Sequence, residues 1–328
     1  MATVGRRVAE EDRGRLAERP GQIPARGWRD ILLRVKAGVK RDQVPLLSAG
    51  VAFYALLSLF PAIIAIVSVY GLVANPDTVR RQIEQSSKLL PAGTTRIVRD
   101  QIAQITGGAG RALSLALVLS ILTALWSASS GMKALITGVN MAYGEPQRRG
   151  FLKLRGLALL VTLGAMVVAT VALALLVGLP AVASHLPTVV RLVLVIGRWP
   201  LLAALVAVGL AVLYRLAPDR DQPRWSWLSW GSAAATLLWI VASVGFSFYA
   251  SHVGNYNRTY GALGGIVILL FWLFLSAFAV LVGAELNAEM ELQTTSDTTV
   301  GAGRPMGERR AWAADHVAAA PAPGRRGG

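Results

Sequence analysis

Charge leaves the chain after Asp42 and does not return until Asp77, and the run between them reads DQVPLLSAGVAFYALLSLFPAIIAIVSVYGLVANP. A hydrocarbon core of roughly 30 Å needs about 20 apolar helical residues. Residues 44–74 exceed that, which predicts a spanning helix with tilt or a kink. Five more apolar runs follow, over about 112–135, 156–183, 192–214, 230–250 and 261–286. The predicted fold class is therefore all-α, a polytopic membrane protein of six transmembrane helices. Ahead of the first span, Trp28, Ile31, Leu32, Val35 and Val39 recur at helical spacing, with Arg29, Arg34, Lys36, Lys40 and Arg41 on other faces. This pattern predicts an amphipathic helix over 27–43, lying on anionic headgroups or docked on the protein's own loops. The connection 75–110 carries two short amphipathic patterns broken by Pro91, Ala92 and Gly93, read as a small helical extracytoplasmic cap. Residues 1–26 and 287–328 have little to bury and read as a disordered basic arm and a disordered tail.

Polar positions inside the spans are the candidates for function. In the first span Ser48 accompanies Tyr54, Ser58 and Pro61, whose spacing places the last three on one face. A proline within a span frees a carbonyl that a neighbouring helix, a hydroxyl or water must satisfy. The second span ends in SASSGMK, suited to close helix approach, with Lys133 near enough to the interface to snorkel. The third is almost purely aliphatic and reads as lipid-facing scaffold. The fourth is interrupted by Arg198, Trp199 and Pro200. Either the helix starts near Pro200, or it starts earlier and holds Arg198 inside the membrane, where an ionisable residue marks a candidate site. Arg215 follows near its end. Ser232, Thr236, Ser243 and Ser247 form a stripe along the fifth span that is expected to point inward. The sixth opens after Tyr260 with Gly261, Gly264 and Gly265, contains Trp272, and closes on Glu285 and Glu289, four apart on one face. A carboxylate at a helix C-terminus opposes the macrodipole, so Glu285 calls for a compensating cation, with Lys133 and Arg215 as the candidates. All these positions admit two readings: wall of a substrate path, or interhelical packing.

Composition supports the membrane class, with 54% hydrophobic residues, 16% charged residues and a mean hydropathy of +0.51. A formal charge of +15 invites a nucleic-acid reading, but Lys and Arg collect in the termini and short connections. There they set topology, placing both termini in the cytoplasm by the positive-inside rule. The positively charged first connection, 75–110, dissents. There is no cysteine, which removes disulfides and thiolate ligands. No cleaved signal peptide is read at the N-terminus.

The segments SAGVAFYALLSLFP, LYRLAP and TYGALGGIVILLFWLFLSAFAVLVGAELNAE together resemble the YihY/BrkB family of bacterial inner-membrane proteins, once labelled ribonuclease BN. The likeness covers about Ala37 to Glu289. It implies a six-helix cytoplasmic-membrane protein whose biochemical activity is unsettled, with envelope roles and lipid or lipid-linked export among the proposals. The family's recurrent residues fall on Tyr54, Ser58, Pro61, Tyr214, Pro218, Tyr260, Gly261, Trp272, Gly283, Glu285 and Asn287, none of them established as catalytic. The long Arg-rich tails depart from the family pattern.

Three functional classes follow. A translocator of a lipid or other anionic amphiphile fits the polar first helix and the absence of reaction chemistry, with membrane lipids as partners. A non-transporting envelope scaffold fits the same small-residue stripes, and both leave room for an oligomer. A ribonuclease is the weakest: His185, His252 and His316 are scattered, and no HxH, HExxH, intramembrane DxD or phosphate-binding glycine loop occurs. The sequence therefore points to no enzyme, no catalytic residue, no metal, no cofactor and no specific nucleic-acid partner.

Overall fold

The computed structural model describes residues 13–73, 111–179, 187–252 and 262–318. Among them the chain is helical, with one isolated antiparallel bridge between Pro223 and Thr299. After a 3-10 turn at Pro20–Gln22 come α1 (Ala25–Arg41), α2 (Val44–Val73), α3 (Arg111–Ala142), α4 (Phe151–Leu173, prolonged by a π-helical turn at Ala174–Gly178), α5 (Thr188–Leu216), α6 (Trp225–His252), α7 (Ala262–Glu291) and the short α8 (Trp312–Asp315). Four stretches, Phe151–Leu176, Thr188–Leu216, Trp225–Tyr249 and Gly264–Glu291, are long and apolar enough to cross a membrane. A fifth arises if Ala25–Arg41 and Val44–Leu59, bent by 60°, are one broken span. The expected extracytoplasmic cap, residues 75–110, lies outside the described residues.

The bend has a local cause. Asp42 N–H still closes a helical turn on the Gly38 carbonyl at 2.8 Å, but Gln43 turns into the left-handed region at φ 48°. Pro45 then sits in the first turn of α2, where its missing donor costs nothing. On α1, Gly27, Asp30, Ile31, Val35 and Gly38 are buried, and the helix packs on α7. Leu32 and Leu33 remain exposed on another side, and so does the basic residue Lys36.

α2 packs along α3, α6 along α7, and α7 against α2. The apolar core gathers at the end that carries both described terminal segments, around Val44, Ile136, Tyr143, Leu154, Tyr214, Leu228 and Leu281. Away from it, Leu160, Val167, Val193, Val208, Leu237, Val244 and Val267 are exposed aliphatics, the surface a bilayer covers.

The disordered arm and tail expected from composition need correction within residues 13–24 and 292–318. These segments pack on each other and on the helix ends. Thr295 N–H donates to the Arg15 carbonyl at 2.8 Å, Gln293 Nε2 to that of Arg13 at 2.6 Å, and the Thr294 hydroxyl to that of Ala17 at 2.6 Å. The Arg309 side chain donates to the carbonyls of Ala314, Thr295 and Arg304. A composition poor in apolar residues thus makes its contacts by threading arginine and threonine donors onto backbone acceptors.

Asp297 tests this arrangement. Burial works against its charge. The backbone N–H groups of Arg304 and Thr299, the Thr299 hydroxyl and the Arg309 guanidinium outweigh that and hold its carboxyl below the usual range. A depressed folded value stabilises fully above the ordinary aspartate value of about 3.9 and is lost as pH falls through the folded value. Protection against hydrogen exchange within 292–318, relative to the intrinsic rate at each pH, is therefore expected to fall as pH drops below about 4, and Asp297→Asn should abolish that acid dependence.

Candidate functional site

Two places collect the polar residues of the helices. The first is a cavity of about 250 Å³ between α2, α3 and α4, lined by Val51, Ala55, Ser58, Leu59, Ala128, Gly131, Met132, Leu135, Thr162 and Met166. Its wall is apolar apart from Ser58 and Thr162. Small residues create it: a Cβ on Gly131 would stand 3.0 Å from the Ala55 Cα, so α2 and α3 touch backbone to backbone. Ser58 sits at that crossing. Its hydroxyl donates to the Tyr54 carbonyl at 2.6 Å, lies 3.2 Å from the Ser127 carbonyl and accepts from Gly131 N–H at 3.2 Å. The Thr162 hydroxyl is also taken, by the Ala158 carbonyl at 2.7 Å.

Arg155 stands seven residues before Thr162, two helical turns away on the same face of α4. It is 7% exposed, stacks 4.2 Å from the centre of the Trp126 ring, donates to the Trp126 carbonyl and reaches the Ser130 hydroxyl at 3.2 Å. Its Nε has no partner. From the sequence Arg155 belongs to a basic connection; it lies inside α4 because the helix begins at Phe151, with Gly150 as N-cap, rather than at Gly156.

The second place is the joint at the terminal end, where α5, α6 and α7 meet. The Tyr214 hydroxyl donates to the Val280 carbonyl at 2.7 Å and lies where a Cβ on Gly283 would be. Asn287 accepts from Gly231 N–H at 3.0 Å, again over a glycine that leaves no room for a side chain. Glu285 is fully buried, and neither carboxyl oxygen has a hydrogen-bond partner. It faces Asp42 and Arg41 at the α1–α2 corner, with Glu289 on its own helix. Its expected partners, Lys133 and Arg215, are elsewhere. Lys133 lies 5.6 Å from the Phe151 ring centre; Arg215 donates to Gln222 at 3.0 Å and stacks on Trp225. The α1–α2 corner occupies the space those cations were expected to fill. Glu289 is held by Arg34 at 2.6 Å.

The remaining expected residues scatter. Ser48 is buried and bonds its own helix at the Val44 carbonyl. Tyr54 is 49% exposed, so it does not share the buried side of Ser58; a 40° offset between positions four apart is enough to separate them at a tight crossing. The helix continues through Pro61. Ser232 and Thr236 are buried but bond carbonyls of their own helix, Ser243 is half-buried and Ser247 exposed, so the stripe does not point inward along its length. Gly264 is buried and Gly265 exposed. Trp272 packs edge-on to Trp239, whose indole N–H donates to Ser276 at 3.1 Å. Tyr260 and Gly261 lie outside the described residues. Arg198 settles the choice for the fourth span: α5 starts at Thr188, so Arg198 is inside the helix, donating at 3.1 Å to the Leu176 carbonyl in the π-helical turn of α4. A π turn displaces carbonyls from the α-helical ladder, which gives that guanidinium its acceptor. Among the described residues, no three His, Asp or Glu side chains form a metal-binding group.

The sequence model of the family described as virulence factor BrkB matches residues 35–305. A ribonuclease-like protein of Bacillus subtilis (strain 168), YfkH, is 33% identical over 248 residues, covering 74% of this chain and 88% of that protein. A UPF0761 membrane protein of Tolumonas auensis is 30% identical over 264 residues, 77% of this chain and 82% of its own length. A UPF0761 membrane protein of Laribacter hongkongensis is 29% identical over 248 residues, covering 57% of that protein. No solved structure matches.

Proposed function

This chain belongs to the virulence factor BrkB family of membrane proteins, and from that premise we propose that it moves a lipid or another anionic amphiphile across the bacterial cytoplasmic membrane in envelope maintenance. The observation that carries the reading is the cavity between α2, α3 and α4, whose apolar wall fits an acyl chain. Arg155, two turns away on the same face of α4, supplies a cation for a headgroup phosphate.

In this reading α2 and α3 complete six crossings with α4 to α7, and the end carrying the terminal segments faces the cytoplasm. The arginines of the connections at that end, Arg148, Arg149, Arg220 and Arg224, agree with the positive-inside rule. Among the described residues no three His, Asp or Glu side chains form a metal-binding group, and the ribonuclease-like name of the Bacillus relative is said of that protein alone.

One observation favours a scaffold instead: Ser58 and Thr162 spend their hydroxyls on helix carbonyls, as packing residues do. A groove-filling variant separates the two. Met166→Trp in the full chain, reconstituted into vesicles with a fluorescent anionic phospholipid, is expected to slow lipid flipping by roughly tenfold, the factor matching about 1.4 kcal/mol of lost contact. A scaffold predicts no flipping above protein-free vesicles and no effect of the variant.

A further inference from the structure

Glu285 sits in an unusual place for an acid. It is fully buried, both of its oxygens lack a donor, and a Cβ on Gly38 would stand 2.6 Å from Oε2, so α1 lies directly against the carboxyl. The charges acting on it are those of Asp42 and Arg41 at the α1–α2 corner and of Glu289 on α7. All three are already matched. Arg41 makes a two-pronged pair with Asp42 at 2.9 and 2.7 Å, and Arg34 holds Glu289. What remains is one carboxyl beside another, without a cation of its own, at the hinge where two helices turn by 60°.

We infer that Glu285 is a proton-binding site, and that its proton holds α1 and the bend into α2 against α7. A proton supplies the donor that the Glu285 carboxyl lacks. A metal ion fits poorly, because Arg41 already occupies both oxygens of the neighbouring Asp42 carboxyl and leaves a hard cation only the two of Glu285. Removing the proton leaves adjacent like charges away from water, which repel. The side able to yield is the corner, where Gln43 already leaves the helical conformation. α1 then swings away from α7, carrying Gly38 off the carboxyl.

The inference does not rest on the translocation reading, since its readout needs no substrate. The chain has no cysteine, so Lys36→Cys on α1 and Arg148→Cys before α4, both exposed positions, place a pair of spin labels in the full-length protein in lipid nanodiscs. Between about pH 5 and about pH 9, a window from ordinary carboxylates towards lysine, the distance distribution is expected to shift from one population to a second. Glu285→Gln, which keeps the shape and supplies its own donor, is expected to stay in the low-pH population throughout. Asp42→Asn should move the midpoint. A second measurement guards against a variant that loosens for other reasons: the infrared difference spectrum should show a titrating protonated-carboxyl band in the wild type that Glu285→Gln lacks. A distance distribution independent of pH in the wild type, the same pH profile in Glu285→Gln, or a carboxyl band that survives the substitution would each overturn it.

Discussion

Arg220→Ala is expected to destabilise the protein by about 3–5 kcal/mol, the cost of leaving one member of a buried ion pair alone. The Arg220 and Glu291 side chains are 1% and 0% exposed and meet at 2.7 Å. Their surroundings are specific. The Thr298 hydroxyl donates to the same Glu291 oxygen at 2.5 Å, the guanidinium lies 5.1 Å from the Tyr143 ring centre, and burial pushes the Tyr143 phenol well above its usual value. Losing the arginine strands Glu291 in a fully buried site and removes one link from the α5–α6 connection to the end of α7. Arg220→Met together with Glu291→Leu should recover most of the loss, because a buried pair is worth little more than well-packed apolar groups of similar volume. Denaturant titration of the nanodisc-embedded protein, followed by tryptophan fluorescence, measures both; equal stability of the single and double variants would contradict the account.

Gly283→Val is expected to be as damaging for the opposite reason, excess volume. A Cβ there would stand 2.8 Å from the Gly231 carbonyl oxygen and 2.6 Å from the Ala235 Cβ, besides overlapping the Tyr214 hydroxyl. Overpacking costs about 1–3 kcal/mol where side chains absorb it, and here part of the obstacle is backbone on α6. Loss of the folded-protein peak in size-exclusion chromatography is the expected outcome, with Gly283→Ala milder in the same direction. Tyr214→Phe should not rescue either variant, because it removes only the hydroxyl and leaves the α6 contacts in place.

The spanning helices were legible because a bilayer imposes length and apolarity on a local stretch, and α4, α5, α6 and α7 follow from that alone. The amphipathic pattern of α1 was legible because its buried positions recur at helical spacing. Illegible were contacts between residues far apart in sequence. Arg220 and Glu291 are 71 positions apart and Arg15 and Leu292 are 277 apart, and no periodicity couples such partners. Arg155 was hidden differently: five residues separate the observed start of α4 from the first residue of its apolar run, so an intrahelical arginine read as part of a loop. The segment 292–318 misled because a stretch rich in Thr, Gly and Arg is the composition of disorder unless backbone acceptors await its donors. Of the motif segments, LYRLAP and the end of the sixth-span motif proved to touch, through Tyr214 and Gly283, a joint that neither segment reveals by itself.

The contact of residues 13–17 with residues 292–295 also sets a schedule for biosynthesis. Arg13, Arg15 and Ala17 offer carbonyls to Gln293, Thr294 and Thr295, which emerge from the ribosome some 280 residues later. Until then the N-terminal segment has no seat, and the buried faces of Ile31 and Met290 lack part of their cover. Completion of the last helix and its trailing segment is thus the step that closes the molecule. A chain truncated before residue 292 would present both unmade surfaces at once.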